Sequence, residues 1–285
     1  MESVKLSILI PTYNFKSGIN KILDCIESID GNLRNSIEII ISDDSDNAII
    51  QENRNESLKK SFKNYIYNHN IDNYGAIHNW NKLISKARGE YIWLLHHDEY
   101  WQKEKNIINY IFEVIKNKNP NILILPITRS KYIKFQNFNI LIKNRHITFK
   151  KILRYFIKKP KLLLKINIIG PPSALIYKKN KILYNKNLKY LVDVEFYIKL
   201  FGFFNSENVF IGFEYYNLLS SQNNKNSITN ILKKEIRSIK NKEKLMVLDR
   251  YKFKFDFFEN IVSIYSFISL KIYLLVTTEI KINKL

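Results

Sequence analysis

The sequence predicts an α/β protein: a mostly parallel central sheet flanked by helices, followed by a helical, basic C-terminal extension. Three observations carry that prediction. Short apolar runs rich in Ile, Leu and Tyr alternate with stretches whose apolar residues recur at helical spacing, and such alternation favours parallel strands joined by right-handed crossovers. Of the 285 residues 46% are hydrophobic and 14% aromatic, which is ample for a core and foreign to a disordered chain. Charge is partitioned as well. Residues 1–120 hold 15 Lys and Arg against 16 Asp and Glu, while residues 121–285 hold 31 against 10, so the net charge of +20 sits almost wholly in the second part.

The elements follow in order. Leu6–Ile10 is a buried strand stopped by Pro11, and Ile19, Ile22, Leu23, Ile26 and Ile29 form a helical stripe. Ile37–Ile41 is the second strand and ends in the acidic run Ser42-Asp43-Asp44-Ser45-Asp46. Tyr65-Ile66-Tyr67 is a third, before an Asn-rich turn that leads to Gly75. A helix with Ile77, Trp80, Leu83, Ile84 and Ala87 on one face is separated by Gly89 from the strand Tyr91–Leu95. Directly after that strand stand His96-His97-Asp98-Glu99, four groups that can each take a proton or a metal ion. Ligands of open α/β sheets bind beyond the carboxyl ends of strands, so the cluster is either well placed for chemistry or an ordinary polar loop. A helix over Lys103–Asn117 leads to a fifth strand, Ile122–Leu125.

From Lys143 to Lys165 the character changes. Phe149, Ile152, Leu153 and Phe156 recur at helical spacing opposite Lys150, Arg154 and Lys158, a basic amphipathic helix suited to a membrane surface or to plain solvation. Ile168–Ser173 is a turn-rich entry to the run Ala174–Tyr177. Leu191–Leu200 reads as a helix with Asp193 at its start, where a carboxylate complements the helix dipole. Ser220–Ser227 is a polar loop, and Ile228, Ile231, Leu232, Ile236 and Ile239 mark another basic amphipathic helix.

Several classes are disfavoured. No Gly-x-Gly-x-x-Gly follows the first strand and no Walker-type loop occurs, which argues against dinucleotide-binding and P-loop domains. Cys25 stands alone, so no internal disulfide forms and a cytosolic setting is allowed. Leu6–Ile10 is too short for a signal peptide, and Lys271 interrupts the apolar tail Ile261–Thr278, which leaves interfacial contact with a membrane as the expectation there. The basic second part implies an anionic partner or codon bias toward Lys. Nucleic acid is a poor partner, because no zinc-ligand spacing, RNP-like strand or helix-turn-helix is present.

Read together, SILIPTYN, SDDSD, the spacing N-x-G-x-x-x-N-x-N before ARGEYI, and HDE after the fourth strand resemble family 2 glycosyltransferases of the GT-A fold, in particular bacterial enzymes of surface-polysaccharide synthesis (lipopolysaccharide or capsule). The resemblance spans about residues 4–220 and is strongest before residue 105. It implies a GT-A domain over 1–220, with a nucleotide-binding half (1–126) and an acceptor-side half (127–220), then the basic extension 221–285.

The same resemblance implies a nucleotide-diphosphate sugar as donor, with UDP favoured by family habit and GDP and dTDP open. Pro11, Tyr13, Asn14, Asp43, Asp44, Gly75, Asn79, Asn81, His97 and Ser173 are its expected binding residues. Tyr13 would stack on the base and Asp44 would accept from the base edge. Asp98 and Glu99 match an Asp-x-Asp-like metal motif for Mn²⁺ or Mg²⁺, with His97-Asp98-Glu99 resembling a His-Asp-Asp variant. Asp193 matches the general base of inverting members, and Glu195 is the fallback. Where members carry His or Arg after the last core strand this chain has Ser220–Lys225, so Lys225 is the available cation. The expected acceptor is a glycan or lipid-diphosphate-linked glycan at the cytoplasmic face of the membrane, with peripheral contact to anionic lipid. The altered metal motif also admits a non-catalytic binding subunit of the same fold.

Overall fold

The computed structural model describes residues 3–135, 138–146, 150–213, 215–221, 235–256, 259–266, 268 and 278–284. The chain divides into two compact units, the first made of residues 1–126, 172–183 and 208–220 and the second of 127–171, 184–207 and 221–285. These units differ from the contiguous halves expected from sequence. The reason is that two late segments return to the first unit as strands.

Strands are numbered along the whole chain. The first unit holds β1 (Leu6–Thr12), β2 (Ile37–Asp43), β3 (Tyr65–His69), β4 (Tyr91–Leu94), β5 (Glu99–Trp101) and β6 (Ile122–Ile124). The second holds β7 (Ile127–Phe135) and β8 (Phe138–His146), and the first then regains β9 (Leu175–Lys178), β10 (Val209–Ile211) and β11 (Leu218–Ser221). The main sheet of the first unit has the order β10-β6-β9-β4-β1-β2-β3. Pairing is parallel for β1 with β2 and β4, β2 with β3, and β10 with β6, whereas β9 runs antiparallel to both neighbours. Every residue of β1 and β2 is buried, as expected of strands covered on both faces, and this explains their unbroken apolar runs.

Helices α1 (Lys16–Glu27) and α3 (Ala76–Lys86) bury most of the stripes read from sequence, Ile77 being half-buried, and α4 (Ile107–Lys118) starts four residues later than the expected helix. Between them α2 (Glu52–Ser61) was not foreseen, because it buries Leu58 alone and offers no periodic signal. The segment ARGEY has a structural reason of its own. Buried Glu38 accepts from Ser7 Oγ (2.6 Å), from the Arg88 backbone N–H (2.8 Å) and from Arg88 Nε (2.6 Å). A Cβ on Gly89 would come within 2.6 Å of the Ser7 backbone nitrogen, so only glycine lets the chain enter β4 beside β1.

β5 begins inside the polar cluster and pairs antiparallel with β11, Glu99 opposite Ser220 and Trp101 opposite Leu218. Three residues are too few to show a period, so sequence reading has a loop there.

In the second unit β7 and β8 form an antiparallel hairpin, to which β12 (Thr278–Lys284) adds antiparallel to β8. Lys143–His146 therefore belong to a strand, and the expected amphipathic helix is confined to α5 (Lys150–Lys158), which buries Leu153, Phe156 and Ile157. Phe149 lies outside the described residues. The helix with Asp193 at its start is α6 (Val192–Phe203), and the extension contributes α7 (Ile236–Arg250), helical residues 259–266 and strand β12. The extension is thus helical over much of its described length and ends as a strand. Lys225 and residues 228–234 lie outside the described residues, and among those described no helix is long and apolar enough to cross a membrane.

Candidate active site

At the carboxyl end of β4, the ligand atoms of His96, Asp98 and Glu99 lie within 4.8 Å of one another. Ser173 braces this group: its Oγ accepts the His96 backbone N–H (3.0 Å) and donates to the Glu99 carboxylate, while its carbonyl accepts Trp93 Nε1–H at 2.8 Å. The His96 ring packs on Trp80 with centroids 4.7 Å apart, and its Nε2 is buried with no hydrogen-bond partner. Burial pushes the His96 pKa down to about 3, so the imidazole is neutral and keeps its lone pair. Burial pushes Asp98 up to about 6. A neutral imidazole with an unpartnered ring nitrogen, on a residue grouped with two carboxylates, fits a divalent cation.

His97 turns the other way. Its Nδ1 accepts the Tyr13 backbone N–H at 3.1 Å and lies 3.3 Å from Thr12 Oγ1, while its ring meets Phe15 at 5.4 Å. The loop after β4 is therefore fastened to the loop after β1. Gly18 of α1 permits the approach, since a Cβ there would stand 2.2 Å from the His97 carbonyl oxygen. The sequence groups His97 with Asp98 and Glu99, whereas in space His96 stands with them.

The loops after β1 and β2 are also joined. Pro11 is buried opposite Ser42, and half-buried Tyr13 leads into Asn14, which adopts a left-handed φ of 45°. Asn14 donates from its backbone to Ser45 Oγ (2.8 Å) and from Nδ2 to Asp46 (2.9 Å). Asp43 is fully buried and spends its carboxylate on the Ser45 and Ile49 N–H groups (3.0 and 3.1 Å) and on Tyr67 Oη–H (2.7 Å). Its observed work is to shape the loop that presents Asp44.

Asp44 accepts from Asn70 Nδ2 at 2.6 Å, and Lys82 holds the other side of that amide at 2.8 Å. Burial raises the Asp44 pKa, against the Asn70 hydrogen bond and the Lys82 charge, which lower it. Asn70 and Lys82 escaped sequence reading. Their only trace was a polar residue in the Asn-rich turn after the third strand and a lysine three positions after Asn79. Asn79 ties α3 to β2 by donating to the Ser42 carbonyl (3.0 Å), and Asn81 is buried in the same helix. Gly75 caps that helix with φ 76°, a conformation that explains glycine at this place in the motif.

In the second unit, Asp193 and Glu195 are in the first turn of α6. Asp193 is half-buried, and desolvation pushes its carboxyl up to about 7. Glu195 is fully buried and already engaged, with Lys199 at 2.9 Å, Arg250 at 3.2 Å and Tyr251 Oη at 2.9 Å. Geometry thus separates the two acids: one strained toward neutrality, the other paired.

Residues 7–181 match the model for glycosyl transferase family 2, and the chain belongs to that family. Its fold is GT-A. Among solved structures, residues 1–349 of S. aureus TarS in complex with UDP are similar at 16% identity and a TM-score of 0.55, the match covering 76% of this chain and 60% of that 1–349 chain, and 36% of the longer TarS chain. TarS in complex with UDP-GlcNAc matches at 16% identity and a TM-score of 0.57, over 95% of this chain and 81% of that one. The mannosyltransferase PcManGT from Pyrobaculum calidifontis, in complex with GDP-Man and Mn²⁺, matches at 12% identity and a TM-score of 0.50, over 95% and 85%. At such identities the likeness is one of fold. No curated protein matches the sequence. Asp193 and Glu195 lie beyond the family-matched residues.

Proposed function

We propose that the protein moves a sugar from a nucleotide-diphosphate sugar to an acceptor hydroxyl with inversion at the anomeric carbon. The observation that carries this reading is the cluster of His96, Asp98 and Glu99, in which His96 has a buried, unpartnered Nε2, next to the interlocked loops that present Tyr13 and Asp44. Asp44 would accept from the base edge and Tyr13 would lie against its face. His97, Asn14, Asp43, Asn70 and Lys82 would hold those two in place.

His96, Asp98 and Glu99 would hold Mn²⁺ or Mg²⁺, which when bound supplies positive charge to the departing diphosphate. Asp193 would take the proton of the acceptor hydroxyl as its oxygen bonds to the anomeric carbon. The bond from that carbon to the diphosphate breaks on the opposite face, and the nucleoside diphosphate leaves with the electron pair. General-base assistance of this kind is typically worth about 10²–10⁴-fold in rate.

UDP is the favoured nucleotide, in keeping with the UDP and UDP-GlcNAc held by similar structures. The acceptor we favour is a glycan or lipid-diphosphate-linked glycan of a bacterial surface polysaccharide, met at the cytoplasmic face of the membrane. The excess of 31 Lys and Arg over 10 acids after residue 120 supports an anionic acceptor or surface.

The test is calorimetric binding of UDP, GDP and dTDP with and without Mn²⁺, repeated on Asp98→Asn. Metal-dependent binding of one nucleotide, lost in the variant, supports the reading. No binding under any condition overturns it, and binding with no turnover on any acceptor favours a non-catalytic subunit.

A further inference from the structure

Helix α6 starts without a side-chain cap: its N-cap residue Leu191 makes no such bond, although the first turn of any helix leaves N–H groups unpaired. The three N–H groups just before it are nevertheless gathered. Lys189, Tyr190 and Leu191 donate to one carboxylate, that of Glu243 on α7, at 2.5, 3.0 and 2.8 Å. Glu243 is buried, and a carboxylate is costly to bury unless it is fully hydrogen-bonded, so three converging donors define a built receptor rather than a chance contact.

One and two turns further along the same face of α7 stand Val247, also buried, and Arg250, with Tyr251 following. Arg250 and Tyr251 bind Glu195, two residues after Asp193. The chain is therefore gripped immediately before and immediately after Asp193 by one helix of the C-terminal extension. Both grips act on the peptide segment that carries the proton-accepting carboxylate.

We propose that Glu243 is a positioning residue for the transfer reaction, holding the 189–191 segment so that Asp193 keeps its orientation, with the Glu195–Arg250–Tyr251 group as the second fastening. The proposal rests on the reading of Asp193 as general base. It gives the extension a part in chemistry, although residues 236–251 lie outside the family-matched segment.

The experiment compares Glu243→Gln, Asp193→Asn and the double variant in acceptor-dependent transfer, with nucleotide binding and thermal unfolding as companions. Glu243→Gln is expected to lower kcat about 10- to 100-fold, as small misplacements of a reacting group do, with the donor KM unchanged and the acidic limb of the pH profile displaced. Added to Asp193→Asn it is expected to lower the rate no further, because both changes act through one group.

A folded Glu243→Gln protein with unchanged kcat and pH limb overturns the proposal, as does a loss that multiplies with Asp193→Asn. Should Glu243→Gln not fold, Arg250→Gln and Tyr251→Phe are read by the same criteria. Full transfer by Asp193→Asn defeats the base assignment itself and this proposal with it, whereas loss in Asp193→Asn with no effect of Glu243→Gln defeats this proposal alone.

Discussion

The carboxylate we propose as general base must be ionised to work, and desolvation holds Asp193 protonated up to about pH 7. The sign follows directly: below that pH the carboxyl carries a proton and cannot accept another, so kcat/KM is expected to fall about tenfold per pH unit on the acid side and to level off above it. Stability runs the other way. A carboxyl whose folded pKa is raised binds its proton more tightly in the native state, so its contribution is present at low pH and is lost as pH rises through about 7. Asp193→Asn is therefore expected to remove the loss of thermal stability that builds up between about pH 4 and pH 7 and to lower the rate about 10²–10⁴-fold, a pair of outcomes that a pH series of melting curves and initial rates would read.

Ser173 supplies a second prediction at this scale. Its hydroxyl joins Glu99 to the His96 backbone, and replacement of such supporting groups costs about 10- to 100-fold in metal affinity. Ser173→Ala is expected to weaken Mn²⁺ binding by that factor in titration calorimetry; unchanged affinity would detach Ser173 from the cation site. Residue by residue, Asp98, Glu99, Asp44 and Ser173 entered the proposed site through a resemblance. It gave no access to the choice of His96 over His97, which is decided by which ring faces Trp80 and which faces Tyr13.

Among the elements, strand β4 depends on a glycine. Gly89→Ala would drive a Cβ against the Ser7 backbone nitrogen, and because that neighbour is the backbone of a central strand it cannot rotate away. Overpacking of this kind costs about 1–3 kcal/mol, visible as a lower denaturation midpoint with the urea m-value preserved. An unchanged midpoint would mean that β1 and β4 can separate without penalty. The elements most legible in sequence were those with a strong period, such as α1 and α3, and those buried on both sides, such as β1 and β2. Elements that draw their stability from a distant partner were hidden. β5 is three residues long and is defined by its pairing with β11, while α2 buries one leucine. β12 is a different case, because Thr278, Ile280 and Ile282 alternate with Glu279, Lys281 and Asn283, a period of two that the apolar run before it obscured.

For the molecule as a whole, the second unit is completed by the last part of the chain. A protein ending at residue 220 would leave Glu195 buried without Arg250 and Tyr251, and would free the three N–H groups that Glu243 now receives. Removing one side of a buried charged pair costs about 3–5 kcal/mol, so this truncation is expected to unfold the second unit while nucleotide binding by the first survives. Limited proteolysis beside UDP calorimetry would show it, and equal protection of both units would refute it. The basic surplus leads to another expectation: binding to anionic liposomes at low salt that weakens as salt is raised. Absence of binding in low salt would confine the positive charge to the acceptor or to solvation.

The interleaving of the two units has an outcome for how such a chain can diversify. The segment 184–207, with Asp193 in it, leaves after β9 and comes back as β10, and these two strands flank β6, with Tyr177 and Val209 both opposite Ile122. The strands it departs from and returns to are thus two strand spacings apart, about 9–10 Å, at one end of the sheet. An insert tethered across so short a gap can be exchanged for a longer or differently shaped one with little change in closure entropy. A graft that swaps 184–207 together with its partner helix is therefore expected to leave nucleotide binding by the first unit unchanged, and under the proposed function it is the segment through which the choice of acceptor would be altered.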